Sequence, residues 1–198
     1  MHYGEIKNCD IANGIGVRVS LFVSGCTNRC PHCFQPQTWD FAYGQPFTPE
    51  TEETLLHLLE PAYINGLTVL GGEPFEPSNQ RALLPFLQRM REEYPGKTIW
   101  AFSGFTLEEL RQEGSHPRCE ATDGILQLLD VLVDGRFVEE KKDIFSAVSG
   151  ILQSAADRYE PHQGAGADRS VGRIAESCGD KRADGLKQSV SSFQKSMK

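Results

Sequence analysis

An α/β fold built on a mainly parallel sheet is what the sequence predicts, and three observations carry that expectation. Short β-branched, apolar runs recur through the first part of the chain. Between them lie longer stretches with helical periodicity and their own end signals. Most of the apolar runs close on a turn containing glycine, the order expected of βαβ units, in which a helix crosses over between parallel strands. The 198 residues suffice for one domain with a real core and are too few for two comfortable ones.

Taken in order, Val17-Arg-Val-Ser-Leu-Phe-Val23 reads as a strand running directly into Ser24-Gly25-Cys26. Thr48-Pro49 opens a helix, Thr as N-cap and Pro at the first helical position, with Leu55, Leu56, Leu58 and Leu59 on a face to be buried. Gly66 to Leu70 is a short buried strand ending at Gly71-Gly72. Asn79 to Tyr94 is a second helix, stopped by Pro95-Gly96, and Thr98 to Phe102 another strand. Thr106 and Glu109 form a capping box for a third helix. Ile125 to Val133 reads as a further strand ending at Asp134-Gly135. In parallel sheets ligands sit beyond the C-terminal ends of the strands. Cys26, Gly71-Gly72-Glu73, Ser103-Gly104 and Asp134-Gly135 would therefore share one rim.

Composition narrows the function classes. Hydrophobic residues make up 39% and the net charge is −7, an ordinary water-borne composition whose acidity disfavours nucleic acid and anionic membrane as partners. Met1 to Cys9 has no apolar core of a signal peptide, and no apolar run approaches the roughly 20 residues that span a bilayer. A cytoplasmic protein is expected. Six cysteines in a reducing compartment point to metal or catalysis rather than disulfides. Three of them are close, Cys26, Cys30 and Cys33; Cys9, Cys119 and Cys178 are scattered, with no neighbour at ligand spacing.

Cys26-Thr-Asn-Arg-Cys30-Pro-His-Cys33 is a Cx3CxxC array on a loop that Gly25 and Pro31 help to turn. Three thiolates are one short of a closed four-cysteine cluster, so a [4Fe–4S] cluster held this way keeps one iron open to another ligand. A structural zinc loop completed by His32 or a distant residue is the other reading of the spacing. Closed zinc sites usually pair two short-spaced couples, and a second couple is lacking.

Cx3CxxC after a strand resembles the signature of the radical S-adenosylmethionine (SAM) superfamily, and Gly71-Gly72-Glu73-Pro74 is similar to its GGE motif. The finer pattern resembles one family within it, the anaerobic ribonucleoside-triphosphate reductase activating proteins. The residues that carry this are Gly14-Ile-Gly16-Val-Arg18 through Cys26, Gln37-Thr-Trp39, Gly44 to Thr48, Trp100 to Thr106 and Asp130 to Phe137. The resemblance covers about residues 1–144. It implies an incomplete radical SAM α/β barrel, with Cys26, Cys30 and Cys33 as ligands of a [4Fe–4S] cluster. It also implies SAM chelated to the open iron and contacted by His32, Cys33, Phe34, Gly71, Gly72, Glu73 and Ser103. The cluster, reduced by flavodoxin or ferredoxin, would cleave SAM to methionine and a 5′-deoxyadenosyl radical. That radical would take a hydrogen from a glycine of the reductase large subunit. No protein acid–base pair is required, and His2, His57, His116 and His162 read as surface or packing residues. An activase of another glycyl-radical enzyme, of the pyruvate formate-lyase type, is the near alternative; a deazaguanine-synthase-like enzyme fits the cysteine spacing less well. A structural zinc-binding interaction module is the alternative from a different class.

After Ile144 the chain departs from that family, which continues with a sequence like Ser-Leu-Arg-Phe-Arg-Gly-Ser-Ser-Asn-Gln-Arg. Here Phe145 to Ala155 stands instead, and one choice of codons for it yields the family sequence when a single nucleotide is dropped. Residues 145–198 are rich in Ser, Ala and Gly and poor in apolar periodicity. They are expected to be a frameshifted, poorly ordered tail.

Overall fold

The computed structural model describes residues 1–136, and the expected tail over 145–198 falls outside them. The described residues form six strands and four α-helices. The strands are β1 (His2–Asp10), β2 (Val17–Val23), β3 (Gln45–Pro46), β4 (Ile64–Gly71), β5 (Thr98–Phe102) and β6 (Val131–Val133). The helices are α1 (Pro49–Leu59), α2 (Pro77–Glu93), α3 (Leu107–Arg111) and α4 (Thr122–Leu128). One sheet holds all six strands in the order β3-β1-β2-β4-β5-β6. β2, β4, β5 and β6 run parallel, joined by helical crossovers, while β1 and β3 are added antiparallel at one side.

Local signals explain most of the elements. Thr48 caps α1 in a capping box with Thr51, and Pro49 fills the first helical position, where a missing N–H costs nothing. Thr106 and Glu109 close the same reciprocal cap on α3. α2 begins two residues before the expected start, because Pro77 also fits a first-turn position. The run Ile125–Val133 is corrected: its first half is helix α4, and only Val131–Val133 is strand. Ala121, Thr122 and Ile125 are buried at helical spacing, and the Thr122 hydroxyl donates to Gln80 Oε1 on α2 at 2.7 Å. A short apolar run does not by itself distinguish the two periods.

The sheet has two unlike faces, since alternate residues of a strand point to opposite sides. Val19, Leu21 and Val23 of β2, Leu67 and Val69 of β4 and Ile99 and Ala101 of β5 form the main core, under Leu55 and Leu59 of α1 and Leu83, Phe86, Leu87 and Met90 of α2. The intervening positions make the other face, which is more polar: Arg18, Ser20, Thr68 and Trp100 are all buried there. Arg18 is 1% exposed, yet each of its five N–H groups has an acceptor. Nε meets Thr68 Oγ1 at 2.7 Å, Nη1 meets Thr98 Oγ1 and Ile15 O, and Nη2 meets Leu67 O and Thr98 O. The guanidinium also lies 5.0 Å from the centre of the Trp100 ring. Burial lowers its pKa to about 10, which leaves it charged at neutral pH. Among the described residues no helix is long and apolar enough to cross a membrane.

Arg18 thus ties β2, β4 and β5 together at the end of the sheet opposite the cysteine loop. Arg18→Lys keeps the charge and loses the planar fork, leaving buried carbonyls unpaired; it should lower unfolding stability by about 3 kcal/mol. Denaturant melts of the full chain measure this, and an unchanged midpoint would contradict the assigned role.

Candidate cluster and ligand site

The strand ends build the site. β2 ends at Val23, and Ser24-Gly25-Cys26 turns off its tip, held by hydrogen bonds from Gly25 N–H to Thr38 O at 2.8 Å and from Cys26 N–H to Trp39 O at 3.4 Å. β4 ends in Gly71-Gly72, where close approach demands glycine. Gly71 has φ +110°, and a Cβ there would lie 2.8 Å from Val23 backbone atoms; one on Gly72 would lie 2.7 Å from Gly25 O. The two turns are laced together by Gly72 N–H to Val23 O and Glu73 N–H to Gly25 O.

A cavity of about 420 Å³ opens between these turns. Cys26, Cys30 and Cys33 border it, with His32 and Phe34 of the same loop, Gly71, Gly72 and Glu73 of the β4 turn, Ser103 and Gly104 after β5, and Asp134 and Gly135 after β6. The four strand-end segments singled out in the sequence therefore meet at one rim. The cysteine loop curls because Arg29 and His32 take left-handed φ values of +44° and +58°, and Cys33 N–H bonds to Cys30 O at 3.2 Å. Cys26 is buried, Cys30 and Cys33 are half-buried, and Phe34 is 80% exposed at the margin. The three thiols border one cavity without meeting at a point: among the described residues no three His, Cys, Asp or Glu side chains are gathered as a metal would require. The donor set itself is soft sulfur, suited to iron–sulfur or zinc binding. Neighbouring Trp39 also borders the cavity, and its indole N–H is buried with no partner among the described residues.

The polar residues of the rim have defined tasks. Glu73 is 1% exposed and accepts four hydrogen bonds, about the full capacity of a carboxylate. Oε1 takes Phe75 N–H and Ser103 Oγ–H, each at 2.9 Å; Oε2 takes Gly104 N–H at 2.7 Å and Asn28 Nδ2–H at 3.1 Å. Ser103 is thereby engaged with Glu73 and also accepts from Phe105 N–H. Asp134 accepts from Leu107 N–H at 2.7 Å and so serves as a cap at the start of α3. Behind Cys26 a second carboxylate, Glu76, is 2% exposed and holds Thr27 through both its backbone N–H (2.7 Å) and its hydroxyl (2.6 Å). Thr27, Asn28, Glu76 and His116 carry no signal in the sequence, because their contacts join segments about 40 or more residues apart. Burial pushes the Cys26 thiol pKa up; the N–H groups of Asn28 and Arg29 pull it down, and the Glu73 and Glu76 charges raise it further. His57 pairs with Glu60 on the exposed surface, as a packing or surface residue would.

Burial pushes the Glu73 pKa up to about 7 against its hydrogen bonds, with the Glu76 charge adding to the rise. A carboxyl raised in the folded chain contributes stability that is complete below the unfolded value of 4.5 and is lost as pH climbs to about 7. Glu73→Gln places an amide NH₂ against N–H donors and removes the titration. The variant should be less stable than the parent throughout. The gap should widen as pH falls from 7.5 to 5, by at most about 3 kcal/mol. Thermal melts of both chains across that range measure it; a gap that stays flat or narrows would contradict the assignment.

Comparison with known proteins places this geometry in a family. A family model described as a 4Fe-4S single cluster domain matches residues 12–153. The chain is similar to proteins named anaerobic ribonucleoside-triphosphate reductase-activating protein. The relative from Pasteurella multocida (strain Pm70) is 40% identical over 145 residues, 72% of this chain and 88% of that protein. That from Escherichia coli (strain K12) is also 40% identical over 145 residues, covering 72% and 89%. That from Enterobacteria phage T4 is 35% identical over 137 residues, covering 69% and 81%. On these matches the chain belongs to the family of anaerobic ribonucleoside-triphosphate reductase-activating proteins.

Proposed function

We propose that this chain is a radical SAM activase that generates a glycyl radical on the large subunit of anaerobic ribonucleoside-triphosphate reductase. The observation that carries the reading is the single cavity bordered by all three loop cysteines and by the Gly71-Gly72-Glu73 turn. Cys26, Cys30 and Cys33 would hold a [4Fe–4S] cluster as thiolates, with the fourth iron left for SAM. When bound, the cluster supplies the one-electron reduction of SAM from which the radical chemistry follows.

The protein's own residues bind, orient and shield. Gly71 and Gly72 border the cavity with backbone alone, and their missing Cβ atoms let the β4 turn pack against Val23 and Gly25. Glu73 would receive the SAM ammonium at its cavity side in exchange for Asn28, the longest of its four contacts. Ser103 keeps the Glu73 carboxylate oriented. His32 and Phe34, at the mouth, would contact SAM and limit entry of water. The partial barrel of radical SAM enzymes is the architecture proposed for the parallel strands β2, β4, β5 and β6, within a functional domain of residues 1–144. A cytoplasmic flavodoxin or ferredoxin is the proposed electron donor, with no role for nucleic acid or membrane.

Anaerobic reconstitution of the full chain should give iron and acid-labile sulfide in near-equal amounts, about four of each per chain. With SAM, a strong reductant and the purified reductase large subunit, a glycyl-radical EPR signal should then grow on the reductase. Cys26→Ala, Cys30→Ala and Cys33→Ala should each abolish it. Zinc bound without sulfide, or a radical signal that persists without SAM, would sink this reading.

A further inference from the structure

We propose that Glu76, Thr27 and His116 form a clasp that positions the cysteine loop from behind, with Glu76 as its central positioning residue; the clasp's purpose rests on the cluster reading above. Glu76 occupies the N-cap position of α2, where a side chain ordinarily bonds the first-turn N–H groups. It makes no such bond. Its Oε1 is turned to Thr27, the residue directly after Cys26, and takes both the backbone N–H and the hydroxyl. Oε2 lies 3.2 Å from His116 Nε2, and that nitrogen is also 3.0 Å from Thr27 Oγ1.

The protonation pattern follows from the partners. The Thr27 hydroxyl proton is already given to Glu76, so toward His116 the oxygen can only accept. Glu76 Oε2 can only accept as well. The Nε2 atom must therefore carry the proton and donate to this pair of oxygens. His116 enters from the loop between α3 and α4, packs its ring 5.9 Å from Phe105, and remains 58% exposed. The Glu76 side chain is 3% exposed. A buried carboxylate without its partners is costly, so the three groups hold one another.

The arrangement complements Glu73, which grips the next residue, Asn28, from the cavity side. Two consecutive residues between Cys26 and Cys30 are thus held by two different carboxylates. Glu76 also ties this loop to the β4 turn, through its N–H to Glu73 O, and its carbonyl accepts from Asn79 and Gln80 at the start of α2. A residue that fixes the Cys26 end of the loop sets where the first thiolate stands relative to the other two.

The test uses the full chain carrying Glu76→Ala, Glu76→Gln, Thr27→Val or His116→Phe, with His57→Ala as a control on the exposed surface. In the metal-free chain, alkylation of Cys26 mapped by mass spectrometry should be about tenfold faster in Glu76→Ala and several-fold faster in Thr27→Val and His116→Phe. Amide hydrogen exchange in α1 should stay at the parent rate throughout, which separates release of the loop from general loosening. Glu76→Gln, which retains an oxygen for Thr27, should largely restore Cys26 protection. After reconstitution, iron release to a chelator should follow the same order, and the reduced-cluster EPR line shape should change in the clasp variants. Parent rates at Cys26 in the folded variants, or Cys26 alkylation and α1 amide exchange rising together, would overturn the proposal. If Glu76→Ala does not fold, the two peripheral variants decide. A parent chain that holds zinc and no cluster, while Cys26 still follows the clasp order, would overturn the cluster reading and leave the clasp standing.

Discussion

Two buried carboxylates behind one short loop are the constraint on which the site depends. Glu73 and Glu76 come from a single turn at the end of β4, and each is taken out of water at considerable cost. That cost is offset only when the donors are in place: Phe75 N–H, Ser103, Gly104 N–H and Asn28 for Glu73, Thr27 and His116 for Glu76. Apart from Phe75 N–H, which belongs to the same turn, those donors lie on the cysteine loop, on the turn after β5 and on the connection between α3 and α4. Satisfying the carboxylates therefore assembles the three segments around one cavity. An incomplete site leaves buried carboxylates short of donors, so the assembled arrangement is the favoured one.

Arg18 applies the same logic at the far end of the sheet. It is a buried cation whose five N–H groups are all met by β4, β5 and the loop before β2. Polar residues thus fix strand alignment on one face, while Leu, Val, Ile and Phe side chains supply the apolar area on the other. β4 lies between its two parallel neighbours at the middle of this arrangement. Its Gly71-Gly72 end permits the close backbone approach that brings Glu73 beneath Gly25.

Local chemistry was legible in the sequence and long-range chemistry was not. Thr48 with Pro49 and Thr106 with Glu109 announce α1 and α3 because each cap is complete within four residues. Val17–Val23 and Thr98–Phe102 read as strands to the residue, since both are buried and rich in β-branched or aromatic side chains. β1 escaped notice because His2–Asp10 is half polar and its pairing partner lies further along the chain. Ile125–Leu128 looks like strand because four apolar or amide residues show no clear period; the contact with α2 makes it helix. Of the site, the cysteines and the Gly-Gly-Glu turn stand out by spacing and by resemblance. Glu76 and His116 do not, since a Glu before a Pro and a lone His are unremarkable until the fold brings them 3.2 Å apart.

The three-cysteine loop and the Gly71-Gly72-Glu73 turn are proposed to bind a cluster and SAM as one unit. Low-temperature EPR of the anaerobically reconstituted and reduced chain, recorded with and without SAM, tests it most directly. A [4Fe–4S]⁺ signal whose line shape changes when SAM is added is the expected result, because SAM would bind the open iron. A cluster signal indifferent to SAM would contradict it.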